Sequence, residues 1–130
     1  MALEVHVVTP EREVWSGSAT EVIARGIEGD VGILTGHAPL LIRLAIGPLQ
    51  VQLEDGSWLR AVVDGGFLHV STEEGQTRVD VLASGAALAD EIDVEAVRRR
   101  VEELRSADAE DERARRELAR AEARVALVSG

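Results

Sequence analysis

The sequence contains no cysteine, no lysine and no tyrosine, and aromatic residues make up only 2% of its 130 positions. Without cysteine, the chain cannot form disulfides, thiolate metal sites or a cysteine nucleophile. With so few aromatic residues, a packed core must be built from Val, Leu, Ile and Ala, which the 45% hydrophobic content can supply. A chain of this length suits one domain, or a small domain with an appendage.

Long apolar runs are missing as well. No stretch approaches the ~20 apolar residues of a membrane-spanning helix, and the N-terminus lacks the charged and then apolar plan of a signal peptide. We therefore expect a soluble chain with no direct membrane insertion. The net charge is −10. Because phosphate binding requires clustered basic residues, we expect no nucleic acid partner.

Charge is distributed unevenly along the chain. Residues 1–89 carry five arginines against twelve acidic residues, whereas residues 90–130 carry nine arginines against twelve acidic residues in less than half the length. This rise in charge density predicts a domain boundary near Ala89. We expect a first domain over residues 1–88 and a second over residues 89–130.

Alternating apolar residues dominate the first domain. Residues 3–7 alternate between apolar and polar side chains, the period of a strand with one buried face. Asp55-Gly56 and Glu74-Gly75 each separate two such runs, which predicts β-hairpins. Seven to ten short strands, with a break at Gly65-Gly66, predict an antiparallel β-sandwich or barrel.

The second domain has the period of amphipathic helices. One helix has an apolar face of Val94, Val97, Val101 and Leu104, and a second helix has one of Ala114, Leu118, Ala121, Val125 and Val128. Asp93 and Asp108 are candidate N-caps for the two helices. Because two of the five residues of the second face are alanine, the antiparallel pair buries little apolar area, and we expect it to open more easily than the β domain.

Basic residues follow one side of the second helix, at Arg113, Arg116, Arg120 and Arg124. Spacings of three and four place these side chains on one face of the helix. The row has two interpretations. It is either a solvated face, which the spacing alone favours, or a surface for an acidic partner.

Candidates for catalysis are few. The three histidines, His6, His37 and His69, have no second ligand at the spacing of a metal site. No serine lies in a nucleophile elbow, and the glycine-rich segment 26–32 lacks the Lys-Ser/Thr ending of a phosphate-binding loop. The residues therefore favour a non-catalytic role.

The most constrained segment spans residues 29–41. Three glycines and Pro39 shape its backbone. Apolar pairs bracket a polar tip at residues 35–37, which predicts two short buried strands joined by a shaped loop. A loop with so many backbone constraints is typical of a docking surface.

Residues 29–41 resemble the Gly-x-x-Gly-x-x-Pro-Gly-His-x-Pro-Leu-Leu signature of the epsilon subunit of F-type ATP synthase, with Thr35 in place of the usual proline. Residues 65–70 resemble the family's second signature, and residues 79–83 its last strand. The resemblance implies an α+β fold, with a ten-stranded antiparallel β-sandwich followed by an antiparallel two-helix hairpin. It also implies a non-catalytic rotor subunit of the central stalk, peripheral at the cytoplasmic face of the bacterial cell membrane. The implied partners are the gamma subunit, the c-ring and the alpha and beta subunits.

The resemblance also assigns roles to single residues. Asp30 and His37 match the region that meets the c-ring in the family, although a structural role in the loop suits His37 equally well. When the two helices extend along gamma, basic residues meet an acidic segment of the beta subunit and inhibit ATP hydrolysis. The resemblance implies that role for Arg113, Arg116 and Arg120.

Some members of the family bind ATP at an Ile/Leu-Asp-x-x-Arg-Ala motif. Here Ile92 and Asp93 match, but Ala96 stands in place of the arginine, and Arg99 lies within a turn of it. The resemblance offers Ile92, Asp93 and Arg99 as candidate ATP ligands. Because the arginine is missing, we expect no cofactor and interpret Ile92-Asp93 as the start of a helix.

Two other interpretations remain open at this point. The chain could be a β-sandwich interaction module of another complex, which would copurify with no gamma-like subunit. It could also be a small zinc-dependent hydrolase, in which distant histidines converge on the metal. Neither interpretation accounts for the loop signature together with an openable hairpin.

Overall fold

The computed structural model describes residues 2–106 and 111–129. Within this part of the chain seven β-strands come first, at Leu3–Val8 (β1), Glu13–Gly26 (β2), Gly29–Leu34 (β3), Leu40–Leu53 (β4), Trp58–Glu73 (β5), Gln76–Ala83 (β6) and Ala86–Leu88 (β7). A short 3-10 turn, Ala89–Glu91, leads to two helices, Val94–Arg105 (α1) and Glu112–Ser129 (α2). The predicted β region followed by a two-helix hairpin is confirmed.

The strands form one sheet that closes on itself. Hydrogen-bonded neighbours follow the order β1-β6-β5-β4-β2-β3, β1 also pairs with β2, and β7 pairs with β5. β1 and β6 run parallel, whereas the other paired strands run antiparallel. The closed sheet folds into a β-sandwich whose inward-facing side chains share one core.

β5 bends at Gly65-Gly66, where both residues have positive φ. A Cβ atom on Gly66 would lie 2.2 Å from the carbonyl oxygen of Leu82, so β6 passes too close for any side chain there. The interpretation of Gly65-Gly66 as a break between two strands is therefore wrong. The chain bends at these glycines and continues as one strand.

Three strands are much longer than the sequence pattern predicts. β2 and β4 have 14 residues each and β5 has 16. The described residues therefore hold seven strands rather than the ten that the resemblance implies. If each of these three long strands is counted as two, divided at its bend or register shift, the count becomes ten. In β5, for example, the first half pairs with β7 and the second half with β6.

The predicted alternation and hairpins are observed. Leu3, Val5 and Val7 face the interior and are at most 1% exposed. They join an aliphatic core that also contains Val22, Ile33, Leu49, Val51, Leu68, Val70, Val79 and Val81. Asp55-Gly56 turns between β4 and β5, and Glu74-Gly75 turns between β5 and β6.

Both helices begin at an aspartate cap. The Asp93 carboxylate accepts a hydrogen bond from the backbone N–H of Ala96 at 3.2 Å, as predicted for the first helix. For the second helix, the Asp111 carboxylate accepts from the backbone N–H groups of Arg113 and Ala114 at 2.9 and 3.4 Å. The structure thus gives the cap of α2 to Asp111, and the predicted cap, Asp108, lies outside the described residues.

The seam between α1 and α2 is narrow. Val101, Leu104 and Ala121 are buried there, with Val97, Leu118 and Val125 packed partly against them. Ion pairs cross the edges of the seam, from Arg100 to Glu117 and from Arg105 to Glu122. Neither helix, within the described residues, has a segment long and apolar enough to span a membrane.

The hairpin lies against the sandwich through α2. This helix packs on β4, β5 and the 3-10 turn, while α1 packs chiefly on α2. Leu127 near the end of α2 is 5% exposed, although the sequence pattern does not include it in the apolar face. It is buried because the last turn of α2 contacts the sheet rather than α1 alone.

Candidate functional site

The β2–β3 turn places Asp30 on the surface. Asp30 pairs across the hairpin with Arg25, and its carboxylate accepts a hydrogen bond from Arg25 Nε at 3.2 Å. Both side chains are more than half exposed. Ile27 lies at the tip of the same turn and is 59% exposed. The turn therefore presents one carboxylate and one apolar side chain to a partner.

The loop between β3 and β4 has a fixed shape, as the sequence predicts. The backbone N–H of Gly36 donates to the hydroxyl of Thr77 at 2.8 Å, and the N–H of His37 donates to the carbonyl of Leu34 at 3.1 Å. His37 Nδ1 lies 2.7 Å from the carbonyl oxygen of Ala38. Because a carbonyl can only accept, the ring carries a proton on Nδ1. This local bond favours the structural role of His37.

Thr77 is a residue that the sequence interpretation missed. Its side chain is buried, and from β6 its hydroxyl accepts the hydrogen bond of the Gly36 backbone N–H in the β3–β4 loop. A signal was present, since Thr77 shares the inward-facing positions of β6 with Val79 and Val81. A polar residue at such a position requires a hydrogen-bond partner.

Asp30 and His37 do not come together. Asp30 lies near the start of β3 and His37 follows its end, and the four residue steps of extended strand from Asp30 to Leu34 hold them roughly 13 Å apart. Residues 31–34 pair with β2 instead of forming part of a loop. The two predicted c-ring contacts therefore lie at opposite ends of β3.

An exposed apolar face lies on the other side of the sheet from the core. Phe67 and Leu82 are directly paired across β5 and β6, and Leu41 lies diagonally across from Phe67 on β4. They are 44%, 50% and 64% exposed, respectively. We call Leu41, Phe67 and Leu82 the apolar face.

The prediction that the strands around the loop are buried is only half correct. Ile33 is fully buried, but Leu34 and Leu41 are more than half exposed. A strand buries one face only, so in each apolar pair one residue points to the core and the next points outward. Sequence alone does not reveal that the outward residues collect on one surface, because strand register decides it.

The basic row on α2 divides into two parts. Arg113 and Arg116 are exposed, and Arg116 lies 3.7 Å from Glu112. Arg120 is half-buried, and its Nε has no hydrogen-bond partner among the described residues. Arg124 binds the carboxylate of Asp64 on β5. The interpretation of the whole row as a solvated face is therefore wrong for Arg120 and Arg124, which lie nearest the sheet.

The candidate ATP ligands lie outside the cleft between the helices and the sheet. The Asp93 carboxylate caps α1, and Ile92 ends the 3-10 turn. A cleft of about 250 Å³ between the helices and the sheet is lined by Asp64, Ala96, Val97, Arg100, Arg120, Ala121 and Arg124. Ile92, Asp93 and Arg99 are not part of that lining. The interpretation of Ile92-Asp93 as a helix start agrees with the cap.

The turn that joins sheet to helices is clamped by an ion pair. Arg12, in the loop after β1, donates two hydrogen bonds to the Glu91 carboxylate at 2.7 and 2.9 Å. Glu91 also accepts from the backbone N–H of Leu88 at 2.8 Å. The pKa of Glu91 is held below its ordinary value, chiefly by the hydrogen bonds from the Arg12 guanidinium and next by the one from the backbone N–H of Leu88.

The histidines do not form a metal centre. Within residues 2–106 and 111–129, no three His, Asp or Glu side chains gather closely enough to hold a metal ion. His6 lies instead 3.4 Å from Glu4 and 3.8 Å from Glu13 on the sheet surface. The described residues offer exposed surfaces on the sheet and a helical pair packed against it.

Comparison with known proteins agrees with this picture. The profile described as "ATP synthase, Delta/Epsilon chain, beta-sandwich domain" matches residues 2–89. The ATP synthase epsilon chain of Streptomyces coelicolor is 41% identical over 133 aligned positions, which cover 100% of this chain and 99% of that protein. The chain belongs to the ATP synthase epsilon-chain family.

Other members of the epsilon-chain family are similar over nearly the same length. The ATP synthase epsilon chain of Thermobifida fusca is 43% identical over 128 positions, covering 95% of this chain and 89% of that protein. A chain in the cryo-EM structure of Euglena gracilis mitochondrial ATP synthase, OSCP/F1/c-ring in rotational state 1, has a TM-score of 0.74 at 25% identity. That match covers 98% of this chain and 78% of the Euglena chain. The family resemblance is confirmed, and it decides against the zinc hydrolase and the module of an unrelated complex.

Proposed function

We propose that this chain is a non-catalytic rotor subunit of a bacterial ATP synthase, which joins gamma to the c-ring and restrains ATP hydrolysis. The likeness to bacterial epsilon chains over the full length carries the proposal. The Euglena structure contains F1 and a c-ring, which supports the same partners for this chain. Its place would be peripheral, at the cytoplasmic face of the bacterial cell membrane.

The apolar face is the docking surface for gamma. Leu41, Phe67 and Leu82 are adjacent large apolar side chains exposed on one side of the sheet, and such contiguous exposure marks interaction sites. Arg43 and Asp80 flank them on the same face and supply polar contacts at the rim. The sandwich, residues 1–88, is therefore the docking domain.

The β2–β3 turn is the contact with the c-ring. Asp30 and Ile27 project from the turn, which is held by the Arg25–Asp30 pair and a glycine with positive φ at position 29. A carboxylate beside an apolar tip suits the polar loops of a membrane ring. His37 lies outside this turn, in the loop after β3, and stays the second candidate for the c-ring contact or a structural residue of its own loop.

The helices, within residues 89–130, are the regulatory part. Arg113 and Arg116 are exposed while the hairpin lies against the sandwich, and Arg120 is partly covered. On extension all three face outward, where they meet an acidic segment of the beta subunit. Opposite charges at such a surface favour association and fix its register. ATP is not part of this proposal, because Ala96 stands where an arginine ligand is needed.

One reconstitution with gamma, alpha and beta subunits tests both parts. Phe67→Asp places a charge in the apolar face, so we expect the variant to lose copurification with gamma. Trp58→Asp is the matched control, since Trp58 is exposed to a similar degree on β5 but outside the apolar face. Retention of Phe67→Asp in the complex would contradict the docking surface.

The second arm replaces Arg113, Arg116 and Arg120 with Ala. We expect the variant to assemble normally and to hydrolyse ATP several-fold faster, because the charge that faces beta is gone. A control that replaces Arg98, Arg99 and Arg115 removes the same charge from other positions of the hairpin. Equal hydrolysis by the two triple variants, at equal incorporation, would overturn the inhibitory role.

A further inference from the structure

Arg124 of α2 forms a two-pronged ion pair with Asp64 of β5. Its Nη1 and Nη2 donate to Asp64 Oδ1 and Oδ2 at 2.7 and 2.9 Å. The side chain of Asp64 is 9% exposed and that of Arg124 is 20% exposed. Paired guanidinium and carboxylate groups that are largely shielded from water bind more strongly than exposed pairs.

A second polar contact lies one turn further along the same interface. Arg60 of β5 donates through Nη2 to the carbonyl oxygen of Leu127, in the last turn of α2. Arg60 and Asp64 are four residues apart on one face of β5, with Val62 between them. Val62 is fully buried but does not belong to the sandwich core. The helix therefore covers this face and is held at both ends of the contact.

Apolar packing elsewhere between α2 and the sheet is weak. A cleft of about 560 Å³ remains between them, lined in part by Ala119, Ala123, Ala126, Gly47 and Pro48. Small side chains bury little apolar area, and a gap removes dispersion contacts from its lining. Apart from the buried side chains of Val62 and Leu127, the polar contacts at Asp64 and at the Leu127 carbonyl are therefore specific links between α2 and the sheet.

The backbone around Asp64 fixes the position of its carboxylate. The backbone N–H of Asp64 donates to the carbonyl of Gly85 at 2.8 Å. A Cβ atom on Gly85 would lie 2.6 Å from Asp64 Oδ2, so only glycine leaves room for the carboxylate in this position. The position of the Asp64 carboxylate is thus set by contacts within the sandwich and does not depend on α2.

We propose that the Asp64–Arg124 pair is a latch that holds the helical hairpin closed on the sandwich. Arg124 continues the basic row of Arg113, Arg116 and Arg120. In the closed state Asp64 neutralises Arg124, and opening releases its charge to the acidic partner. Asp64 therefore competes with that partner for the same side chain. This last step rests on the proposed inhibitory function, whereas the latch itself does not.

The latch is tested on the isolated full chain. Since the sequence contains no cysteine, spin labels can be placed at Glu54→Cys on the sandwich and Glu102→Cys on α1. The distance distribution between the labels gives the ratio of open to closed molecules. We expect Asp64→Asn and Arg124→Gln each to raise that ratio about tenfold, the scale of a charge-assisted hydrogen-bonded pair.

If Asp64 and Arg124 act as a pair, the effects of their substitutions on the ratio of open to closed molecules are not additive. The double variant should be no more open than the more open single variant, because either change alone removes the interaction. Gly85→Ala should also raise the ratio by displacing the carboxylate. Glu73→Gln is the control, since it removes a negative charge from β5 at an exposed position outside the α2 contact. Tryptophan fluorescence verifies the sandwich in each variant.

An unchanged ratio in Asp64→Asn and Arg124→Gln, or effects of the two that add, would overturn the latch. Because the isolated chain contains no beta subunit, this outcome is independent of inhibition. A chain that opens on Asp64→Asn, but whose triple arginine variant hydrolyses ATP at an unchanged rate in the assembled enzyme, would keep the latch and lose the inhibitory function.

Discussion

The β-sandwich and the helical hairpin of this chain are stabilised in different ways. The sandwich has a continuous aliphatic core in which Val5, Leu68 and Val81 have no exposed surface, and backbone hydrogen bonds link its strands into a closed sheet. The hairpin buries a few side chains between its helices, Leu104 and Ala121 among them, and places ion pairs around them. The first part is fixed by an extensive buried core, whereas the second combines a small apolar seam with exposed ion pairs.

This difference suits two functions in one small chain. Exposed ion pairs contribute about 0–1 kcal/mol each, whereas burial of a Val or Leu side chain contributes about 1.5–3 kcal/mol. The hairpin can therefore separate from the sheet without unfolding the sandwich. Under the proposed function, the sandwich would stay docked while the helices change position.

The largest expected contrast comes from one substitution in each region. Leu68→Ala leaves a cavity in the sandwich core and should cost about 2–5 kcal/mol of its free energy of unfolding. Leu104→Ala, in the helical seam, should loosen the hairpin and leave the sandwich transition in place. Both tryptophans, Trp15 and Trp58, lie in the sandwich. Urea titrations followed by tryptophan fluorescence and by helical circular dichroism therefore separate the two regions.

In Leu68→Ala both signals should shift to lower urea concentration, because the hairpin has no sheet to rest on once the sandwich unfolds. In Leu104→Ala only the helical signal should shift. If Leu104→Ala lowered the fluorescence midpoint as much as Leu68→Ala does, the two regions would form one cooperative unit and the contrast would fail.

The junction between the regions gives the smallest expected effect, and it depends on pH. The pKa of Glu91 is lowered in the folded state, mainly by hydrogen bonds from Arg12. Its stabilising contribution is thus complete above the ordinary pKa of Glu and is lost as pH falls through the lowered value. Because both side chains are at least a third exposed, the contribution is small.

Arg12→Gln should raise the pKa of Glu91 toward its ordinary value, as measured by NMR titration of the carboxyl carbon. Stability at neutral pH should fall slightly, and the loss of stability that Glu91 contributes as pH falls should become smaller, because the folded and unfolded pKa values of Glu91 move closer together. Arg43→Gln is the control. It removes an exposed arginine beside the apolar face and should leave the pKa of Glu91 unchanged. A Glu91 titration that is the same in both variants would contradict the clamp.

Local features of the fold were predictable from sequence because short-range chemistry determines them. The alternation at residues 3–7, the Asp55-Gly56 turn and the Asp93 cap each depend on neighbours within a few positions. The bend at Gly65-Gly66 was interpreted wrongly, since glycines mark a strand break and a close strand crossing in the same way. Only the approach of Leu82 on β6 distinguishes the two.

The proposed docking surfaces were predictable only in part. The signature at residues 29–41 located Asp30 and the shaped loop, but the apolar face depends on the register of three strands. The Asp64–Arg124 pair joins residues that are 60 positions apart. Nothing near Asp64 in sequence indicates that an arginine of α2 meets it, because the docking of the helix decides the contact. Long-range partners of this kind require the folded structure.

The central claim is that the hairpin opens independently of the sandwich, and native-state hydrogen exchange of the isolated chain tests it most directly. The amides of Leu104 and Ala121 should exchange at least about 100-fold faster than those of Leu68 and Val70, after correction for intrinsic rates, because the helices open locally. The sandwich amides should exchange only through global unfolding. Equal protection of the helical and sandwich amides would contradict the account.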